Sequence, residues 1–361
     1  MRVKTIIAAS ILLLSSVEVL SAPDGQPLPV GRAETVLALR PLIDLPEGIA
    51  IDPRGHIFVS NRRLENDARV PEILEVALDG TVTVFATLGS AVADDIAAGV
   101  LGLGIDSRGD MYAALASSNP TTHGVWRIRR GGEIERLPGS NAIVLPNSIA
   151  FDDRGNVYVT DSTDGAIWRF PRTAPARLWI RHALLAPDPN FGIGANGITF
   201  VPPRDLFVAN TDLGLIVRVR IGQDGKPVEP EVVASGIELL TIDGLAADAH
   251  GQIHAVIAAA PAFGTSSLVQ VNPDTGEINS STARADAFDF PTSLAFGRGP
   301  RDHKSLYLVN SGLYPEGRPQ AAPGVIRVGI RVPGSPVSAN LQRSPMVRDK
   351  CASLPAWKCM K

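Results

Sequence analysis

The chain has 361 residues, with 34 glycines, 29 prolines and only 20% charged residues, a composition suited to an all-β protein with many turns. Its net charge of −3 leaves no basic surface to draw in nucleic acid. The start, MRVKTIIAASILLLSSVEVLSAP, is basic, then apolar from Ile6 to Leu14, then small near Ser21 and Ala22. That order predicts a secretory signal peptide over residues 1–21, since the apolar run is too short to span a bilayer. No later stretch is long enough to cross one, so a soluble, exported protein is expected (extracellular or periplasmic).

Residues 22–33 read as a Pro/Gly leader, and ETVLALR (34–40) as a lone strand. Then a unit recurs in which a short apolar strand runs into a turn and a second apolar strand. Its copies are PEGIAIDPRGHIFVSN, LGLGIDSRGDMYAAL, PNSIAFDDRGNVYVTDS, ANGITFVPPRDLFVANT, DGLAADAHGQIHAVI and PTSLAFGRGPRDHKSLYLVNS. Anchored on Asp52, Asp106, Asp152, Val201, Asp248 and Gly297, the steps are 54, 46, 49, 47 and 49 residues. Outer strand pairs fit between the copies, as in ILEVALDGTVTVFATL and GVWRIRRGGEIERL, several turning on Asp-Gly or Gly-Gly. Four short strands at a period in the forties to fifties predict an all-β, six-bladed β-propeller over residues 34–332. The last copy has a third strand, GVIRVGI, but no fourth. ETVLALR is expected to supply it and so close the ring without a free edge.

Two inserts, RRLENDARVP (62–71) and GSAVADDIAAG (89–99), are expected as loops on the ligand side or its rim. Asp94 and Asp95 in the second read as a solvated loop face that could add to a metal site. Residues 333–361 form a tail holding the only cysteines, Cys351 and Cys359, which would pair in an oxidising compartment. Asn279 begins an Asn-Ser-Ser glycosylation sequon on a predicted outer turn.

Five residues before the anchors stand Glu47, Leu101, Asn147, Asn196, Asp243 and Thr292. The first strand of each blade lines the central axis, so equivalent positions at its start meet in a ring at one channel mouth. Glu47, Asn147, Asn196 and Asp243 bring carboxylate or amide oxygens, which a core would not select. An all-oxygen set suits one hard divalent cation, Ca²⁺ first and Mg²⁺ or Mn²⁺ after it, with Zn²⁺ left open. The bland alternative is that such residues merely begin strands or cap turns. Gly192, Gly194 and Gly197 match G-x-G-x-x-G, yet they open a strand rather than a helix and so do not predict a dinucleotide site. The six histidines show no zinc spacing, no G-x-S-x-G elbow is present, and His254 reads as packed between strands.

With Pro46-Glu47-Gly48, Asn196-Gly197 and Asp243-Gly244 in blade order, residues 34–332 resemble the senescence marker protein, gluconolactonase and luciferin-regenerating enzyme family. The resemblance implies that Glu47, Asn196 and Asp243 bind one divalent metal, with Asn147 beside it as fourth ligand or substrate contact. It further implies metal-assisted hydrolysis of a lactone or ester, Asp243 acting as general base and Asn147 orienting the carbonyl. Two departures stand out: Leu145 replaces the Arg of the sugar-lactone hydrolases, and Ser148 follows Asn147 where Gly or Asp is usual. A secreted, monomeric lactonase-like hydrolase of small molecules is therefore the expectation. An isomerase or cyclase at the same site, or a non-catalytic NHL-type binding propeller, is the alternative.

Overall fold

The computed structural model describes residues 28–65, 68–89, 92–93, 99–172, 174–189, 192–260, 265–280, 287–299, 302–313 and 323–335. The signal segment, Asp94, Asp95, Cys351, Cys359 and the tail from 336 lie outside them. Each anchor aspartate organises the turn between the first two strands of its blade. The Asp52 carboxylate accepts the backbone N–H of Arg54 and His56, and Asp106, Asp152 and Asp248 repeat the pattern. Three residues beyond each, Gly55, Gly109, Gly155 and Gly251 hold φ between 76° and 94°, where a side chain is disfavoured. The D-x-x-G of the repeat is thus a turn device, and its carboxylate is consumed by backbone.

Six antiparallel sheets result. Their inner strands are Pro46–Ile51, Gly99–Ile105, Pro146–Phe151, Ala195–Val201, Ile242–Ala247 and Pro291–Phe296, blades 1 to 6 in order. Each inner strand touches the next, and the sixth touches the first, so the ring is closed. Apolar clusters fill the wedges between neighbouring blades all the way round. Burial here lies between sheets, as propeller geometry requires.

Blade 6 contains Pro291–Phe296, Ser305–Asn310 and Gly324–Gly329, and its outer strand is Ala33–Ala38. Ala33 pairs with Val328 and Ala38 with Gly324, so the two ends of the ring are fastened in one sheet as expected. Leu37, fully buried, packs in the wedge between blades 6 and 1. Leu37→Ala should cost about 2–5 kcal/mol of unfolding free energy in urea titration. An unchanged midpoint would mean that the first strand does not hold the ring closed.

The first insert is not a loop. Ile57–Glu65 and Ala68–Val76 pair continuously from Ile57–Val76 to Glu65–Ala68, and Val92–Ala93 adds a short strand against Ala68 and Arg69. Residues 62–65 and 68–71 of that insert therefore continue the strand pair. A buried network fixes the base of this ribbon: Asn61 donates to Asp44 and Glu72, and Arg63 to Glu72. Asn279 sits exposed on the outer strand Ile278–Ser280 of blade 5 rather than on a turn.

Candidate metal centre

Glycine spacing brings the ring together. A Cβ on Gly48 would lie 2.6 Å from the Leu101 carbonyl oxygen, and one on Gly197 2.2 Å from that of Asp243. The residue after each ring position packs on the neighbouring inner strand, so only the smallest residues let the strand starts converge. That is the physical content of Glu-Gly, Asn-Gly and Asp-Gly in this repeat. Ser148 is accommodated in blade 3, its backbone N–H donating to Thr160 and its hydroxyl accepting from Ile198.

All six ring positions line one cavity of about 20 Å³. That is room for a single water or a monatomic ion. Two residues further along the strands, Ile49, Leu103, Ile149, Ile198, Leu245 and Leu294 close the channel with an apolar layer. The polar ring therefore lies against a hydrocarbon floor.

Both amides are oriented from behind. Asn147 Nδ2 donates to Ser162 Oγ at 3.1 Å, and that hydroxyl donates to the Ala195 carbonyl at 2.7 Å. Asn196 Nδ2 donates to Thr211 Oγ1 at 3.0 Å, which donates to the Ile242 carbonyl at 2.7 Å. One N–H of each amide is thereby engaged outward, and Asn196 also hydrogen-bonds the Asp243 carboxylate. Thr292 is turned the other way, its hydroxyl donating to the Glu47 carbonyl at 3.0 Å.

The carboxylates set the charge of the cavity. Only 15% of the Glu47 side chain is exposed, and burial pushes its pKa up to about 7 against the opposing pull of Arg62. Asp243 is raised well above the usual range, by burial first and by repulsion from Glu47 second, opposed by a hydrogen bond from Asn196. Two crowded carboxylates and two amides offer an oxygen donor set that fits a hard dication. Among the described residues no group of three or more His, Cys, Asp or Glu is clustered, so amide oxygens must complete any such site.

Sequence reasoning did not single out Arg62, Ser162 or Thr211. Arg62 leaves the second strand of blade 1 where the hairpin is extended, and its guanidinium reaches Glu47 at 3.4 Å. The insert pointed to this ribbon, but nothing in its composition marked Arg62 as the residue that turns inward. Ser162 and Thr211 could have been found from their spacing, each 15 residues after an Asn of the ring. Thr211→Val should lower divalent-cation affinity on the order of 10-fold or more by releasing the Asn196 amide. Calorimetric titration with Ca²⁺ that gives equal affinities would refute that orienting role.

Other candidates fall elsewhere. His254 is buried in blade 5, bonded to Asp248 at 3.2 Å and set edge-on to Phe296. Gly192 and Gly194 belong to a loop gathered by Asp212, which accepts the backbone N–H of Asp188, Gly192 and Ile193. Leu145 donates its backbone N–H to Asp161, leaving an aliphatic side chain where the resemblance would place Arg.

A beta-propeller repeat family matches residues 131–167. Among curated proteins none matches the sequence. A gluconolactonase from Xanthomonas campestris is similar in structure at 16% identity and a TM-score of 0.57, covering 88% of this chain and 94% of that one. The calcium-binding protein regucalcin from Agrobacterium tumefaciens gives 19% and 0.57, covering 82% and 92%. The shared fold is the β-propeller. A catalytically inactive histidine-to-alanine variant of virginiamycin B lyase from Staphylococcus aureus, with quinupristin, gives 14% and 0.51, covering 83% and 99%. No helix among the described residues is long and apolar enough to cross a membrane.

Proposed function

We propose that the protein is a secreted, divalent-metal-dependent hydrolase of lactones or related esters. The observation that carries the reading is the convergence of Glu47, Asn147, Asn196 and Asp243 on one ion-sized cavity, both amides anchored from behind. Similarity to a gluconolactonase and to a calcium-binding propeller supports the same reading. Export is carried by the basic-then-apolar start of the chain.

Glu47, Asn196 and Asp243 would hold the cation, Ca²⁺ by preference, with Asn147 as fourth ligand or carbonyl contact. A cation bound there supplies polarisation of the acyl carbonyl and acidification of water. Asp243 takes the proton of the attacking water as its oxygen bonds to the acyl carbon. The ring C–O bond then breaks, and Asp243 returns the proton to the leaving alkoxide. The apolar layer from Ile49 to Leu294 keeps water from reaching the site from below.

Leu145 supplies no guanidinium for a polyhydroxylated sugar, so hydrophobic lactones should be hydrolysed better than gluconolactone. Assay of both classes with and without chelator tests this, and absence of any lactone turnover would overturn the hydrolase reading. The lyase is a non-hydrolytic enzyme of similar fold, but no histidine lines the ring here. Hydrolysis is therefore the preferred chemistry.

A further inference from the structure

The channel holds a second compartment. Below the apolar layer lies a cavity of about 900 Å³ that opens at the opposite mouth. Its walls include the ends of the inner strands, Ile51, Ile105, Phe151, Phe200, Ala247 and Phe296. Leu103 lines both compartments, so a single layer of side chains separates them.

One charged group breaks the apolar wall on the side of blades 6 and 1. Arg298, half-buried, lines the cavity without a hydrogen bond or ion pair among the described residues. Its nearest acidic influence is Asp52, whose oxygens are already engaged by Arg54 and by the backbone N–H of His56. Carboxylates elsewhere on the wall are committed too. Glu135 pairs with Arg127 and Arg129, Asp106 caps its own turn, and Asp152 accepts from Asn156 and Tyr158. Of the other wall charges, Arg127 is held by Glu135, while Arg108, Asp153 and Arg172 are exposed on blades 2 and 3, away from the side of Arg298. Burial lowers the pKa of Arg298, the mark of a cation held where its charge is poorly solvated.

An arginine presents five donors in a planar fork that suits a carboxylate or sulfonate. A cavity of this size, with apolar strand ends and Arg298 on the side of blades 6 and 1, suits a drug-sized ligand. We propose that the lower mouth binds a small amphipathic anion, its head on Arg298 and its apolar body between Ile105, Phe151, Phe200 and Phe296. The site is separate from the ring of Glu47 and Asp243, and the inference does not rest on the hydrolase reading.

Calorimetry on the full chain with octanoate, octanol and acetate tests it. Octanoate should bind one per chain, with octanol and acetate each much weaker. Arg298→Met, which keeps the aliphatic stem, should weaken octanoate on the order of 10-fold or more and leave octanol unchanged. Arg298→Lys should retain most of the binding, which separates loss of charge from loss of fold. Ca²⁺ titration of Arg298→Met should match the wild type, since the apolar layer isolates the upper site. No octanoate binding, equal binding of acetate, or full octanoate affinity in Arg298→Met would each overturn the proposal.

Discussion

Asp243→Asn should lower kcat/KM for lactone hydrolysis on the order of 100-fold or more, with the propeller still folded. The substitution is nearly isosteric and removes a charge that burial and Glu47 already disfavour, so it relieves strain in the fold. What it deletes is the group able to accept a proton beside the acyl carbon. An amide also contributes one negative charge fewer to a cation, so affinity for Ca²⁺ should fall in the same variant. The two effects separate if rates are compared at saturating metal: a residue that only holds the ion would then recover full turnover. Activity that survives both chelation and Asp243→Asn would sink the metal-assisted mechanism.

The chelated protein should lose stability as pH rises from 5 to 8, and Ca²⁺ should restore it mainly at the higher pH. The sign follows from the raised carboxylates. A group whose pKa is higher folded than unfolded stabilises the fold when protonated, and that contribution is lost as pH climbs through the folded value. For Glu47, pushed up to about 7 from an ordinary 4.5, the loss is roughly 3 kcal/mol, and Asp243 acts in the same direction. A dication reverses the balance, because it favours the charged forms and so releases protons on binding. Urea midpoints at pH 5 and pH 8, with and without Ca²⁺, should therefore diverge in the wild type and much less in Glu47→Gln. The difference between the two proteins cancels groups such as Asp44, whose pKa is lowered by the bonds it accepts from Arg40 and Asn61. Identical pH dependence in both proteins would show that Glu47 is not the buried charge the cavity implies.

The architecture was legible because a propeller is written as a period. Every blade must place its first strand at the axis, so the spacing of the six repeat anchors and of the residues five before them carries both the blade count and the ring. Closure by Ala33–Ala38 was legible for a related reason: the last copy lacked a strand and the start of the chain had one to spare. The convergence of Glu47, Asn147, Asn196 and Asp243 followed from register alone, and Gly48 and Gly197 give it a cause in the contact between neighbouring strands.

Other features depended on contacts between distant residues. A hairpin extension and a surface loop have the same composition in RRLENDARVP, and only pairing with Val70 and Pro71 decided that Arg62 and Arg63 continue a strand. The inward turn of Arg62 onto Glu47 followed from that pairing. Ser162 and Thr211 gained their orienting role only when the carbonyls of the next blade, Ala195 and Ile242, came within reach of their hydroxyls. Likewise the lack of a partner for Arg298 among the described residues required knowing that Asp52, more than 200 residues earlier in the chain, has its oxygens already taken. Sequence by itself determined the repeating frame, because strand period and turn chemistry are local. Tertiary structure decided which way each polar group points and how strongly its charge is felt, because burial and partnership are set by neighbours from other blades.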